Sequence, residues 1–377
     1  MKPSPAAAGS AASADAAATI EKLEVAAFRV PTEAPESDGT LEWDSTTMVV
    51  VHARGADSTG LGFTFADRAA GTLIQEKLAA AVTGRNLMDV AGCQQRMIRA
   101  VRNLGRPGLA SMAIAAVDIA LWDLKARHLG VSLLDLFGAC RETVPAYGSG
   151  GFTSYSLRQL QEQLGGWASQ GLSRVKMKVG RVPGEDAARV RAAREVTGEG
   201  CELFVDANGA YTRKQALQAA ECFAACDVRW FEEPVSSDDL AGLRLLRDRV
   251  PPGMQVAAGE YGYDLPYFRR MLEAGAVDVL QADATRCAGF TGFLAVDALC
   301  AARCLGLSAH TAPSLHAHVA CACAAACHVE YFHDHARIEQ LLFDGALRPE
   351  AGQLRPDRTR PGTGLSLRHA DARRFAI

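Results

Sequence analysis

Long apolar runs are missing from this chain. No stretch approaches the roughly 20 residues that a membrane-spanning helix needs, so an integral helical membrane protein is excluded. An excess of one charge is missing too: 40 Lys and Arg face 43 Asp and Glu, leaving −3. There is no basic stripe for nucleic acid and no polybasic patch for a lipid surface. A disulfide framework is also lacking. The 11 cysteines are odd in number and irregular in spacing, and Cys222, Cys226, Cys300 and Cys304 fall inside apolar helical runs. They read as small buried residues in a reducing, cytoplasmic setting. Cys321, Cys323, Cys327 and His328 have no second ligand pair at finger spacing, which argues against zinc. The first 19 residues contain no Leu, Ile, Val or Phe, so they offer no secretory core and read as a disordered tail.

What is present is a large apolar fraction, 49% of 377 residues, enough for two domains or for one barrel with an attachment. Residues 20–30 and 46–54 are rich in β-branched residues and, with a third strand at 61–66, predict an antiparallel sheet, with a Pro-, Gly- and acid-rich loop over 30–46. Residues 109–130 predict a long helix with basic last turns and a Gly stop. From Val144 the pattern changes to alternating strands and helices, eight strands in all, which predicts an α/β parallel barrel. The expected organisation is a tail at 1–19, a capping domain at 20–143, a barrel at 144–349, and a segment at 350–377 that returns to the capping domain.

Acids and bases recur at the ends of these strands. Lys176 and Lys178, Asp206, Glu232, Glu260, Asp283, His310 and Glu330 follow one another, and from Lys178 onward the spacing is 20 to 28 residues. That is the length of one barrel repeat, and barrel active sites collect at the carboxyl ends of the strands. Asp206, Glu232 and Glu260 would converge from three consecutive strands, and their mutual repulsion is relieved by a divalent cation. All-oxygen ligation favours Mg²⁺ or Mn²⁺ over zinc. In VKMKVG, alternation turns Lys176 and Lys178 to the same side, where each ammonium depresses the other's pKa and one becomes available as a base. Asp283, one strand before His310, is placed to orient its imidazole.

Together these motifs resemble the enolase superfamily in its mandelate racemase subgroup. The resemblance rests on Lys176-Met-Lys178, VDANGAYT with Asp206 and Asn208, WFEEP with Glu232, AAGE with Glu260, QADATR with Asp283, SAH with His310 and HVEYF with Glu330. AIAAVDIALWDLKAR is similar to the family's capping-domain helix, and the likeness covers roughly residues 20–370. It implies a modified TIM barrel, (β/α)₇β, with an α+β capping domain, and Mg²⁺ on Asp206, Glu232 and Glu260. It further implies catalysis by Lys178 and His310, with Lys176, Asp283 and Glu330 in support and a protonated Glu330 donating to the substrate carboxylate. A homo-oligomer acting on a small-molecule carboxylate is expected.

The expected reaction is dehydration of an acid sugar, an aldonate or aldarate, to a 2-keto-3-deoxy acid. The alternatives are a racemase or epimerase of a 2-hydroxy acid and, in another class, a non-catalytic metabolite-binding barrel. Candidate substrate contacts are Asn208, Tyr147, Ser149, Trp43 and His333. The acids of the 30–46 loop read as a solvated face or, alternatively, as suiting a polyhydroxy monoacid or a cationic substrate rather than a dianionic aldarate.

Overall fold

A computed structural model describes residues 18–377. The expected tail at 1–19 thus lies outside the described residues, apart from Ala18 and Thr19. The β-branched segments form β1 (Lys22–Ser37), β2 (Glu42–Gly55) and β3 (Ser58–Phe65), antiparallel in the order β1-β2-β3. The loop expected over 30–46 is mostly hairpin. Pairing continues to Ser37↔Glu42, with a register irregularity between Pro31 and Glu36. Proline cannot donate to a ladder, and β1 accommodates it as an edge strand beside that irregularity. Asp38 closes the turn, its Oδ1 accepting from the Thr40 and Leu41 amides at 2.6 and 2.7 Å.

Helices α1 (Val90–Ala100) and α2 (Leu109–His128) pack on this sheet. α2 is apolar on nearly all sides because it is buried on nearly all sides. Small residues on both elements bring α2 against β3 at backbone distance. A Cβ on Gly60 would lie 2.2 Å from the Ala120 carbonyl oxygen, and one on Gly62 would lie 2.3 Å from that of Ala116.

From Val144 strand and helix alternate: β4 (Val144–Gly150), α3 (Leu157–Ser169), β5 (Arg174–Lys178), α4 (Pro183–Thr197), β6 (Glu202–Asp206), α5 (Arg213–Ala224), β7 (Val228–Glu232) and α6 (Leu240–Arg247). The series continues with β8 (Gln255–Ala258), α7 (Leu265–Glu273), β9 (Val279–Ala282), α8 (Gly289–Ala302), β10 (Gly306–Ala309), α9 (Pro313–Ala322), β11 (Ala326–Phe332) and α10 (His333–Leu342). The eight strands pair in chain order, and β11 closes on β4 through Glu330↔Tyr147. This is the (β/α)₇β barrel that the sequence predicted. Ser156 with Gln159, and Thr212 with Gln215, form capping boxes that start α3 and α5. Gln353–Leu354 pairs antiparallel with β4, after which Thr363 donates to Asp123 of α2 and the Ile377 amide donates to the Ala27 carbonyl of β1. Among the described residues, no helix is long and apolar enough to cross a membrane.

Capping domain and barrel meet at Asp118. This buried α2 carboxylate accepts from the Thr291 amide at 3.0 Å and hydroxyl at 2.6 Å, at the start of a helix with no side-chain cap of its own. Gly289 makes room for it: its φ is +87°, and a Cβ there would lie 2.1 Å from Asp118 Oδ1. Asp118→Ala would leave both donors unpaired in a dry interface. Urea unfolding should show a loss of about 2 kcal/mol, within the range for a lost cap and an unsatisfied buried donor.

Candidate active site

Short strands deliver the chemistry to one end of the barrel. Lys178, Asp206 and Glu232 are the last residues of β5, β6 and β7. Asp283 and His310 each follow a strand directly, and Glu260 lies two residues beyond β8. Within β5, Val175 and Met177 join the apolar layer beneath the helices, so Lys176 and Lys178 point into the barrel.

Asp206, Glu232 and Glu260 are buried, each with an oxygen within 4.8 Å of the other two. Lys178 Nζ lies 2.5 Å from Asp206 Oδ2. Lys176 Nζ lies 2.5 Å from Glu232 Oε1 and 2.8 Å from Glu330 Oε1. Arg286 Nη1 lies 3.3 Å from Glu260 Oε1. Five carboxylates, counting Glu233 and Glu330, are thus crowded around three cations. Burial drives the pKa of Glu232 and Glu233 well above the carboxylate range. Glu260 Oε2 and Glu233 Oε1 are buried without a hydrogen-bond partner. The donor set is all oxygen, and one oxygen of a candidate ligand is orphaned. The cluster therefore fits a hard cation such as Mg²⁺.

The two lysines do not neutralise one another as the sequence suggested. Burial is the largest influence on the Lys178 pKa and lowers it, as does Lys176, but the Asp206, Glu260 and Glu330 carboxylates together outweigh them and the net shift is upward. Lys176 is likewise buried, and Glu232 and Glu330 hold it well above the ordinary lysine value. Glu330 was expected to donate to a substrate carboxylate only if protonated, and its surroundings do not favour that form. Burial favours its neutral form, but Lys176 and His310 bring its pKa below the usual range. Glu330 is an acceptor for Lys176 and for the Thr311 amide, 3.2 Å away.

His310 and Asp283 pair as expected, Nδ1 to Oδ2 at 2.9 Å. Burial pushes the Asp283 pKa up, but the hydrogen bond and charge of His310 bring it well below the usual range. The Thr285 amide and hydroxyl, both 2.7 Å from Asp283 Oδ1, hold the carboxylate in place. His310 Nε2 then faces the cavity, 3.3 Å from Glu260 Oε2. Backbone strain gathers at the same rim. Asn208, Glu233 and Thr311 have φ of +46°, +37° and +52°, each within two residues of a site side chain. A β-branched residue at positive φ is a true outlier, and such strain collects at functional sites.

A cavity of about 410 Å³ opens over this cluster, lined from the barrel by Lys178, Asn208, Glu260, Arg286, His310 and Glu330. The capping hairpin supplies the facing wall, including Trp43. Ties along its length seat it on the barrel: Ser37 to Thr153 at 2.6 Å, Glu42 to Arg181 at 3.1 Å, and the Pro31 carbonyl to Arg337 at 2.7 Å. Of its acids, Glu42 and Glu33 reach the barrel, at Arg181 and His333, while Glu36, Asp38 and Asp44 bond within the hairpin. Glu36 is buried against the Trp43 indole N–H, and desolvation pushes its pKa up to about 8.

Of the candidate substrate contacts, Asn208 and Trp43 line the cavity and the other three do not. Tyr147 and Ser149 are fully buried; the Tyr147 ring packs below the site on Phe204 and His328, because its strand register turns it into the barrel core. His333 points away and pairs with Glu33 at 3.2 Å. His335, two residues on, lines the cavity instead, as do Arg286 and Tyr261. His335 lay within the sequence YFHDHARIE, but the helical phase that selects between its histidines was not readable.

Comparison with known proteins agrees with this architecture. Residues 22–138 match the family model for the mandelate racemase/muconate lactonizing enzyme N-terminal domain, and residues 159–372 match the enolase C-terminal domain-like model. A 3,6-anhydro-α-L-galactonate cycloisomerase from Streptomyces coelicolor is 31% identical over 369 residues, covering 95% of this chain and 99% of that protein. An L-talarate/galactarate dehydratase from Salmonella typhimurium is 30% identical over 315 residues, covering 80% of this chain and 79% of that protein. The crystal structure of a mandelate racemase/muconate lactonizing enzyme-like protein from Rubrobacter xylanophilus superposes with a TM-score of 0.94 at 56% identity, covering 95% of this chain and all of that one. A Streptomyces coelicolor racemase solved with bound magnesium superposes at 0.89 and 30% identity, covering 95% and 100%. With both halves of the chain matched, and with the barrel, cap and carboxylate triad in place, this protein belongs to the mandelate racemase/muconate lactonizing enzyme family of the enolase superfamily.

Proposed function

We propose that this protein is a Mg²⁺-dependent dehydratase of a sugar acid. The carrying observation is that Lys178 and His310 line one cavity above the carboxylate triad. They come from the second and seventh strands of the closed barrel, with the triad on strands three to five between them. The dehydratases and cycloisomerases of acid sugars among its relatives support the substrate class.

Bound by Asp206, Glu232 and Glu260, Mg²⁺ would supply positive charge against the second negative charge that develops on a carboxylate as its α-proton leaves. Lys178, released from its contact with Asp206, takes the α-proton at Nζ. Lys176 remains an ammonium between Glu232 and Glu330 and disfavours a second ammonium beside it. The C–H electron pair becomes the C2–C3 π bond as the C3–O bond breaks. His310 Nε2 gives its proton to the departing hydroxyl, which leaves as water, and Asp283 stabilises the imidazolium before that transfer. The resulting enol tautomerises to the 2-keto-3-deoxy acid.

The same opposed pair would also support racemisation, if His310 returned the proton to C2 on the other face. Incubation with acid sugars and Mg²⁺ in D₂O separates the two. Dehydration gives a 2-keto acid detectable as its semicarbazone. Deuterium at C2 with no keto acid would replace this reading by racemisation or epimerisation.

A further inference from the structure

The proposed reaction uses one carboxylate and its neighbouring carbons, and leaves the rest of the substrate unassigned. Asp38, Ser45, Thr46, Thr47 and Asp67 form much of the facing wall. Not one is a cation. Among the described residues the only Lys and Arg lining the cavity are Lys178 and Arg286, and both are engaged. Lys178 lies on Asp206. Arg286 is tied to the Glu260 carbonyl at 3.1 Å and carboxylate at 3.3 Å, lies 3.6 Å from Asp283, and stacks 5.3 Å from the Tyr261 ring centre. No guanidinium or ammonium is left to receive a second carboxylate, and Asp38 and Asp67 would repel one.

A second observation concerns His335. Its ring stacks face to face on Phe65, centroids 3.4 Å apart at 14°, and meets the edge of Phe332 at 5.1 Å and 89°. The residue is 9% exposed and lies in the cavity wall, and its buried Nδ1 has no hydrogen-bond partner. Buried polar atoms in native proteins are nearly always paired, so an orphan in a cavity wall points to a partner that arrives with the ligand. Burial holds the His335 pKa well below the ordinary histidine value, so the ring is neutral and suited to a hydroxyl rather than to a carboxylate.

We propose that the cavity selects sugar acids bearing a single carboxylate, the aldonate class, over dicarboxylates, and that His335 hydrogen-bonds a substrate hydroxyl. This rests on the dehydratase reading and narrows it. Specificity of this kind comes as much from an unreceived, repelled charge as from a new contact.

The test is kcat/KM of the Mg²⁺-loaded enzyme on a stereochemical panel of aldonates and their matched aldarates, read as 2-keto acid. The best aldonate should exceed its aldarate by about 100-fold. Asp67→Arg should cut that ratio by about tenfold, by removing a repelling charge and adding a receiving one. His335→Phe, which keeps the ring stacked on Phe65, should raise KM about tenfold with little change in kcat. Equal or better turnover of aldarates would overturn the selectivity while leaving the dehydratase reading intact. A fall in kcat at constant KM in His335→Phe would overturn its assignment as a hydroxyl contact. If no panel member yields keto acid, the dehydratase reading fails, and thermal shift of the Mg²⁺-loaded protein decides selectivity: stabilisation by aldarates and not by aldonates would overturn it.

Discussion

Replacing Lys178 by alanine is expected to lower turnover of the sugar acid by about 10³-fold, the middle of the range for losing a positioned general base. Binding of Mg²⁺ should survive and tighten, because Lys178 Nζ lies 2.5 Å from Asp206 Oδ2 and competes for the same oxygen. Calorimetric titration with Mg²⁺ checks this without reference to activity. Lys178→Arg separates charge from proton transfer. A guanidinium preserves the positive charge beside Asp206 but does not deprotonate in proteins, so this variant should be nearly as slow as the alanine one. Near-normal rate in Lys178→Ala would remove Lys178 from the chemistry; near-normal rate in Lys178→Arg would leave it an electrostatic role only.

Chelation should abolish turnover entirely, and added Mg²⁺ should restore it, while the protein remains folded throughout. The fold tolerates the loss because Lys176, Lys178 and Arg286 already offset three of the buried negative charges. Saturation at about 100 times Kd should stabilise the chain by about 2.7 kcal/mol, seen as an upward shift in Tm. Glu232→Gln should lose this shift and the activity together, since it removes a ligand and leaves Lys176 with Glu330 and the more distant Asp206. Activity that persists after exhaustive chelation, or an absent thermal shift in the parent chain, would falsify the metal assignment.

The barrel and its chemical residues were legible because their signals are local. Strand alternation put Lys176 and Lys178 on the inner side of β5, and each repeat ended its apolar run on an acid or a base. The helices that start at the Ser156 and Thr212 capping boxes fell within the expected helical segments. The hairpin arms were not legible. Residues 31–37 and 42–45 carry prolines and acids, and they pair as strands only because they lie on the barrel mouth, tied by Thr153, Arg181 and Arg337. Tyr147 was misread for a related reason: a residue near a strand end faces either the cavity or the core beneath it, and the depth of a side chain along a barrel axis leaves no mark in composition.

Local periodicity and spacing by themselves settled which residues would meet: three acids for a cation, two lysines, and a histidine with its aspartate. Those properties follow from chain geometry, since each repeat returns the backbone to the same rim. Only the folded molecule decided the ion pairs and the substrate's surroundings. Lys178 lies on Asp206, Lys176 lies between Glu232 and Glu330, and His335 rather than His333 faces the cavity. These depend on burial and on contacts between residues as far apart in the chain as His333 and Glu33, 300 positions, which no local pattern in the chain encodes.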